Sequence, residues 1–198
     1  MTSVLRQTLR NARTERFGHQ GAIIWLTGLS GAGKSTLASE ADARLFDAGY
    51  ATSILDGDEL RRGISTDLGF SAADRHENIR RAGHIAALLA DAGLLVFVAM
   101  ISPFSADRAA ARRASTVCFR EVYVKASLAA CEQRDPRGLY RRARAGEISE
   151  FTGVSSPYEA PTAADLVIDT EQVDISGAVE QLVAYVGATV PLRSHARP

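Results

Sequence analysis

The chain has 198 residues, 46% hydrophobic and 23% charged, and its 23 basic side chains balance 23 acidic ones for a formal net charge of zero. That length suits one domain with a sizeable core. The charge balance excludes a broad electrostatic hold on nucleic acid or membrane, so any anion must be bound by local arginines. No apolar run reaches the ~18 residues of a spanning helix. The arginine-containing start lacks the apolar core of a secretory signal, and a cytoplasmic protein is expected.

Residues 1–20 are polar, with Arg6, Arg10, Arg13 and Arg16 at near-helical spacing, which predicts a solvated helical lead-in. The bulky apolar run Ile23-Ile24-Trp25-Leu26 then predicts a buried strand over about 22–27. It breaks at Gly28-Leu29-Ser30-Gly31-Ala32-Gly33-Lys34-Ser35-Thr36 and resumes as a helix from Leu37 to Phe46, with Gly49 as its C-terminal cap. This stretch fits G-x-x-x-x-G-K-[ST] in full, between a strand and a helix, which is the setting that gives the pattern meaning. Glycines let backbone N–H groups converge on phosphate oxygens, and the helix start adds the positive end of its dipole. Lys34 can reach the β- and γ-phosphates, and the Ser35 hydroxyl can ligate Mg²⁺. ATP or GTP binding is expected.

A second strand over 51–55 runs into Asp56-Gly57-Asp58. Ligands of open α/β sheets sit at strand carboxyl ends, so these carboxylates suit Mg²⁺ or a substrate hydroxyl; they read equally as a turn capping a helix. Residues 64–70 predict a loop ending in an exposed Phe70. Ser71 to Asp74 resembles a capping box with Asp in place of Glu, opening a helix to about Asp91 with Gly93 behind it. Arg75 and Asn78 share a face of its first turn. They read as a solvated surface or, beside a Phe70 able to stack on a base, as an anion site.

Leu94 to Ile101 predicts a central strand ending in Ser102-Pro103-Phe104. No acidic residue stands at that end, so Asp56 or Asp58 must supply any carboxylate near a metal. A helix over 106–114, a strand over 119–124 and a helix through Cys131 follow. Cys118 and Cys131 lack metal-ligand spacing and read as buried apolar residues. Over 134–146 the five arginines Arg134, Arg137, Arg141, Arg142 and Arg144 read as a solvated basic helix or as a lid over phosphates. A long aperiodic loop over 150–161 is of the functional kind. A fifth strand over 165–169 and an amphipathic helix over 175–187 close the domain. The expected organisation is a lead-in of 1–20, one domain over 21–189, and an unstructured tail over 190–198. Strands alternating with helices predict a parallel, doubly wound sheet.

Together these blocks resemble the adenylylsulfate kinase (APS kinase) family. The resemblance rests on Gly28 to Thr36, Leu55 to Asp58, Asp67 to Phe70, Asp74-Arg75, Glu77 to Arg81 and Ile101 to Phe104. It continues through Arg134-Asp135, Gly138 to Tyr140, Ala143 to Gly146, Phe151 to Gly153 and Pro157 to Glu159, and so covers about Gly18 to Val186. It implies an α/β P-loop NTPase three-layer sandwich, a five-stranded parallel sheet with helices on both faces and a lid. It implies transfer of the γ-phosphoryl of MgATP to the 3′-hydroxyl of adenosine 5′-phosphosulfate, giving PAPS and ADP in sulfate assimilation. ATP would lie on Gly28, Leu29, Ser30, Gly31, Ala32, Gly33, Lys34, Ser35 and Thr36, with Arg134, Arg141 and Val173. The acceptor would meet Asp56, Asp58, Arg61, Phe70, Arg75, Asn78, Ile101, Ser102 and Arg137, with Phe151 closing over its adenine.

Within that scheme Lys34 and Asp58 are catalytic, Ser102 is the family's phosphoserine position, and Ser35 with Asp58 would hold Mg²⁺. Direct in-line transfer makes a phosphoserine unnecessary, since positioning and electrostatics suffice. The resemblance also implies a homodimer and, in similar kinases, association or fusion with an ATP sulfurylase. Three residues depart from the family pattern: His84 for an acidic residue, Arg137 for a lysine and Ser155 for an aspartate. Arg137 keeps the charge but changes the hydrogen-bond geometry. A kinase for another small hydroxyl substrate would use the same loop, and Phe70, Arg75 and Asn78 argue for the adenylyl group. A GTPase would carry an Asn-Lys-x-Asp motif, which is missing from the sequence.

Overall fold

The alternation of strands and helices resolves, in the computed structural model, into one five-stranded sheet whose strands lie in the order 52–56, 95–99, 22–27, 118–125 and 166–169 with every pairing parallel. The structure describes residues 3–193. In chain order the elements are α1 (Ser3–Phe17), β1 (Ala22–Thr27), α2 (Lys34–Asp47), β2 (Thr52–Asp56), α3 (Gly57–Arg62), α4 (Ala72–Asp91) and β3 (Leu95–Ala99). Then come α5 (Ser105–Ala114), β4 (Cys118–Lys125), α6 (Leu128–Arg134), α7 (Leu139–Arg144), β5 (Leu166–Asp169) and α8 (Ile175–Thr189).

β1 and β3 are apolar on both faces and are buried throughout, so they take the middle of the sheet. The period of two divides their side chains between two layers. Ile23, Trp25, Val96 and Val98 pack on Ile79, Ala82 and Ala86 of α4 and Ala111 of α5. Ile24, Leu26, Phe97, Val122 and Ile168 pack on Leu37, Ala41 and Leu45 of α2 and on Val179, Leu182 and Val186 of α8. The expected three-layer sandwich is the one observed. No helix among the described residues is long and apolar enough to cross a membrane. Both cysteines are free thiols, Cys131 buried and Cys118 half-buried.

Several boundaries differ from the sequence reading for local reasons. α2 begins at Lys34 rather than Leu37, because Gly33 in a left-handed conformation (φ 102°) starts the helix inside the glycine-rich loop. α3 follows β2 without a break, since the Asp56 carboxylate caps it by accepting the Asp58 N–H at 2.8 Å. Ser71 caps α4 as expected, but the reciprocal arm is altered: its hydroxyl accepts from Asp74 N–H and donates to the Asp74 carboxylate. The shorter Asp side chain thus ends on the hydroxyl instead of the backbone.

The lead-in helix α1 is docked rather than merely solvated. Arg10 ion-pairs with Asp91 at the end of α4, and Arg13 donates to the Asp91 carbonyl at 2.7 Å. Residues 190–193, read as the start of the tail, run back over this end. Val190 is buried and its carbonyl accepts the Tyr50 hydroxyl at 2.9 Å, while the Arg193 N–H donates to Gly18 at 2.7 Å. The remainder of that tail, 194–198, lies outside the described residues.

His19 joins α1 to the start of β2. It is buried between the rings of Phe17 and Tyr50, and its Nε2 accepts the Ala51 N–H at 2.9 Å. An accepting Nε2 requires the neutral ring, and burial lowers the pKa below the ordinary 6.5. The native state therefore binds fewer protons than the unfolded chain once pH falls below that value. Stability from this group is intact above it and is lost as pH drops. His19→Gln retains an acceptor that does not titrate. Denaturant unfolding from about pH 7.5 to about pH 5 should show a steeper loss of stability in the wild type than in His19→Gln.

Candidate active site

Three chain segments leave the carboxyl edge of the sheet and meet there: the loop after β1, Asp56 to Asp58 after β2, and Ile101 to Pro103 after β3. With the turn between α6 and α7 they enclose a cleft of about 750 Å³. Parallel order forces this meeting, because every strand points its carboxyl end the same way.

The glycine-rich loop lies in close packing. A Cβ on Gly28 would stand 2.3 Å from the Val124 carbonyl oxygen, so only glycine fits. Gly33 offers no side-chain cap to α2, and no acidic residue lies in the first turn, so the N–H groups there stay available to an anion. Lys34 is buried and donates to the Leu29 carbonyl at 2.8 Å. Burial lowers its pKa to about 8, against the opposite pull of Cys131, Asp56 and Asp58. The Tyr140 hydroxyl donates to the Ser30 carbonyl at 2.9 Å and so ties α7 to the loop.

The carboxylate beside Ser35 is Asp56, where Asp58 was expected. The Ser35 hydroxyl donates to Asp56 Oδ2 at 2.6 Å, and the other Asp56 oxygen is held by the Asp58 N–H. Asp56 ends β2 and still points along the sheet edge. Asp58 is already inside α3, so its side chain turns across the cleft mouth to ion-pair with Arg137. Ser35 and Asp56 together suit Mg²⁺, which takes one or two protein oxygens and completes its shell with waters and substrate phosphates. An all-protein cage is not required, and no cluster of three His, Cys, Asp or Glu occurs among the described residues.

On the other side of the cleft, Arg75 is buried and fixed by two carbonyls, Phe70 at 2.8 Å and Glu150 at 2.6 Å. Asn78 is 2% exposed, yet its Oδ1 has no hydrogen-bond partner among the described residues. An unmet buried amide costs about 1–3 kcal/mol, and this one lines the cleft, where a ligand can satisfy it. Phe70 is 55% exposed, with the Arg61 guanidinium 4.5 Å from its ring centroid. Arg61 is itself fixed by the Gly69 carbonyl at 2.6 Å.

Ile101 and Ser102 form the wall between these two halves. Ser102 holds φ at 40°, a left-handed value that costs a non-glycine residue about 1 kcal/mol or more. Its hydroxyl is buried, accepting from Trp25 Nε1 at 3.0 Å and donating to the Met100 carbonyl at 3.3 Å. The Ile101 carbonyl accepts the Thr27 hydroxyl at 2.7 Å.

Three of the expected site residues do not line this cleft. Phe151 is buried away from the cleft, edge-on to Tyr140 with centroids 5.0 Å apart. Its carbonyl accepts N–H groups from Val154, Ser155 and Ser156, and this tight turn draws the ring into the core. The Ser155 hydroxyl accepts the Phe151 N–H at 2.9 Å, closing that turn as an aspartate would. Arg141 is exposed outside the cleft, and Val173 packs against the core before α8. The basic stretch is therefore divided. Arg134 and Arg137 line the cleft, whereas Arg142 pairs with Glu147 and Arg144 with Glu132. Arg134 also donates to the Thr170 carbonyl at 2.7 Å, making Thr170 a neighbour of the loop that sequence reasoning missed. No spacing signal marks Thr170, and Tyr140 stands in the sequence only within the Gly138 to Tyr140 block, which gives no hint of its bond to Ser30.

The family model for adenylylsulphate kinase matches residues 20–169. The adenylyl-sulfate kinase of Shewanella amazonensis is 54% identical over 182 residues, covering 90% of this chain and 92% of that one. A Mycobacterium tuberculosis APS kinase, solved in complex with AMPPNP and APS, is 45% identical with a TM-score of 0.82, covering 84% of this chain and 98% of that chain. A hexameric APS kinase from Thiobacillus denitrificans is 32% identical with a TM-score of 0.70. It covers 98% of this chain and 34% of that longer one. With the phosphate loop, the Ser35–Asp56 pair and the Arg75–Asn78 half-site in one cleft, these matches show that the chain belongs to the adenylylsulphate kinase family.

Proposed function

We propose that this chain transfers the γ-phosphoryl of MgATP to the 3′-hydroxyl of adenosine 5′-phosphosulfate, releasing ADP and PAPS. The observation that carries this reading is the buried, unsatisfied Asn78 amide beside Arg75 and the Phe70 ring, opening on the same cleft as the phosphate loop. A phosphate loop serves any kinase. A half-site with an aromatic face, a fixed guanidinium and a spare amide suits an adenylyl group with an anionic tail.

In this reading the nucleotide phosphates rest on the N–H groups of Gly28 to Thr36, with Lys34 stabilising charge on the transferred group. Mg²⁺ bound with the nucleotide would be held by Ser35 and Asp56 and would neutralise charge on the β- and γ-oxygens. The acceptor adenine lies on Phe70, and its phosphosulfate meets Arg75 and Asn78. Asp58, released from Arg137, takes the proton of the 3′-hydroxyl as that oxygen bonds to the γ-phosphorus. The bond to the bridging oxygen breaks and ADP leaves. Arg137 is then free to face the phosphates, and Arg134 lies on the nucleotide side. Ser102, whose hydroxyl is engaged by Trp25 and Met100, takes no part in bond formation, which supports direct transfer. The same reading makes the protein a cytoplasmic homodimer acting on the product of an ATP sulfurylase.

ADP release from MgATP should rise sharply when adenylyl sulfate is added, with a 3′-phosphate on the product; no stimulation would refute the assignment. Asp58→Asn should lower kcat on the order of 10²- to 10⁴-fold. Ser102→Ala should keep kcat within about tenfold of the wild type, and loss comparable to Asp58→Asn would reinstate a phosphoserine route. Because Lys34 titrates near pH 8 in the free protein, and bound phosphates favour its charged form, nucleotide affinity should be flat below that pH and fall above it. Calorimetry in buffers of different ionisation enthalpy should register proton uptake on binding above pH 8 that Lys34→Met abolishes.

A further inference from the structure

Arg108, the fourth residue of α5, belongs to none of the blocks that carry the family resemblance and is 3% exposed. Its guanidinium reaches three separate segments. Nε donates to Glu121 Oε1 of β4 at 2.6 Å, Nη1 to the Ser102 carbonyl at 2.8 Å, and Nη2 to the Glu159 carbonyl at 2.8 Å. The last two segments are also bonded to each other, since the Glu159 N–H donates to the Pro103 carbonyl at 2.8 Å. The Glu159 carboxylate in turn accepts the N–H and hydroxyl of Ser105, closing the start of α5. Three acceptors in three directions suit the planar fork of arginine, and an ammonium cannot reproduce that pattern.

One of those acceptors belongs to the strained residue of the cleft wall. Ser102 keeps its left-handed φ only where surrounding contacts over-determine it. Those contacts are Trp25 Nε1 on its hydroxyl, that hydroxyl on the Met100 carbonyl, Thr27 on the Ile101 carbonyl and more weakly, at 3.5 Å, on the Ser102 carbonyl, and Arg108 on the Ser102 carbonyl at 2.8 Å. The Trp25 and Thr27 contacts come from β1, which is buried throughout. Arg108 joins the wall to β4 through Glu121 and, together with the Glu159 N–H on the Pro103 carbonyl, to the segment after Phe151. We propose that Arg108 is a positioning residue for the acceptor side of the reaction: it holds Ile101 and Ser102 in the conformation that shapes the acceptor half of the cleft, without touching either substrate. This inference rests on the reading of the acceptor as adenylyl sulfate.

The test is steady-state kinetics of Arg108→Met and Arg108→Lys, with both substrates varied, alongside the fluorescence of Trp25. Trp25 is the chain's single tryptophan, and its indole N–H is bonded to Ser102, so its emission reports on the wall directly. Arg108→Met should raise the KM for adenylyl sulfate on the order of ten- to a hundredfold, leave the KM for ATP within about twofold, and change the Trp25 emission of the folded protein. Arg108→Lys, which keeps the charge beside Glu121, should give a smaller rise of the same kind. An unchanged acceptor KM, or equal rises for both substrates, would overturn the proposal. If Arg108→Met does not fold, Arg108→Lys decides by the same criteria. Wild-type turnover with adenylyl sulfate tests the underlying reading separately. Were it absent, the emission would decide alone: a change would support the wall role, and an unaltered spectrum would overturn it.

Discussion

The first turn of α2 presents backbone N–H groups that no side chain caps and no first-turn carboxylate neutralises, with a buried ammonium, Lys34, beside them. These groups are available to an anion, and the rest of the site is arranged around them. Glycine at 28 lets the loop pass against the Val124 carbonyl, which brings these donors to the sheet edge. The parallel order of the strands then brings Asp56 and the 101–103 wall to the same edge. Tyr140, bonded to Ser30 from behind, ties the basic α6–α7 segment to the loop it faces.

The zero net charge of the chain is resolved locally rather than spread evenly. Arg142, Arg144, Arg80 and Arg81 are matched to carboxylates on the surface, where such pairs contribute little to stability. Arg75 is instead buried against the Phe70 ring and two carbonyls, with no carboxylate ion pair among the described residues, so its charge remains available to an anionic ligand. Arg137 is matched, but to Asp58, a carboxylate that itself lines the cleft. That pair joins two residues that both line the cleft, and under the proposed function it parts before transfer. Where the family pattern has a lysine, an arginine makes this contact with a guanidinium, whose fork fits a carboxylate better than an ammonium does.

Much of the site was legible because its chemistry is local. The glycine-lysine-serine spacing, the cap at Ser71 and the Arg75–Asn78 pairing along one helical face each depend on residues a few positions apart. Local rules also explain where the reading stopped. Asp56 and Asp58 are two residues apart, and choosing between them for Ser35 depended on where β2 ended and α3 began. The 134–146 run looked like one basic surface, but two short helices send its arginines to different partners. The family resemblance implies Phe151 closing over the adenine, whereas the hydrogen-bonded turn at Phe151 to Ser156 draws its ring against Tyr140.

By itself the sequence determined the α/β alternation, the burial of the two most apolar strands, the phosphate loop and the family. Each of these is written in periodicity or in contiguous motifs, and the backbone must express them wherever the chain folds. Only the tertiary structure decided which carboxylate meets Ser35, which arginines face the cleft, and that Ser102 is held in a strained conformation by Trp25 and Arg108. The reason is physical: those outcomes depend on hydrogen bonds between residues tens of positions apart. Their directions exist only after five strands have been set in register and their carboxyl ends brought together at one edge.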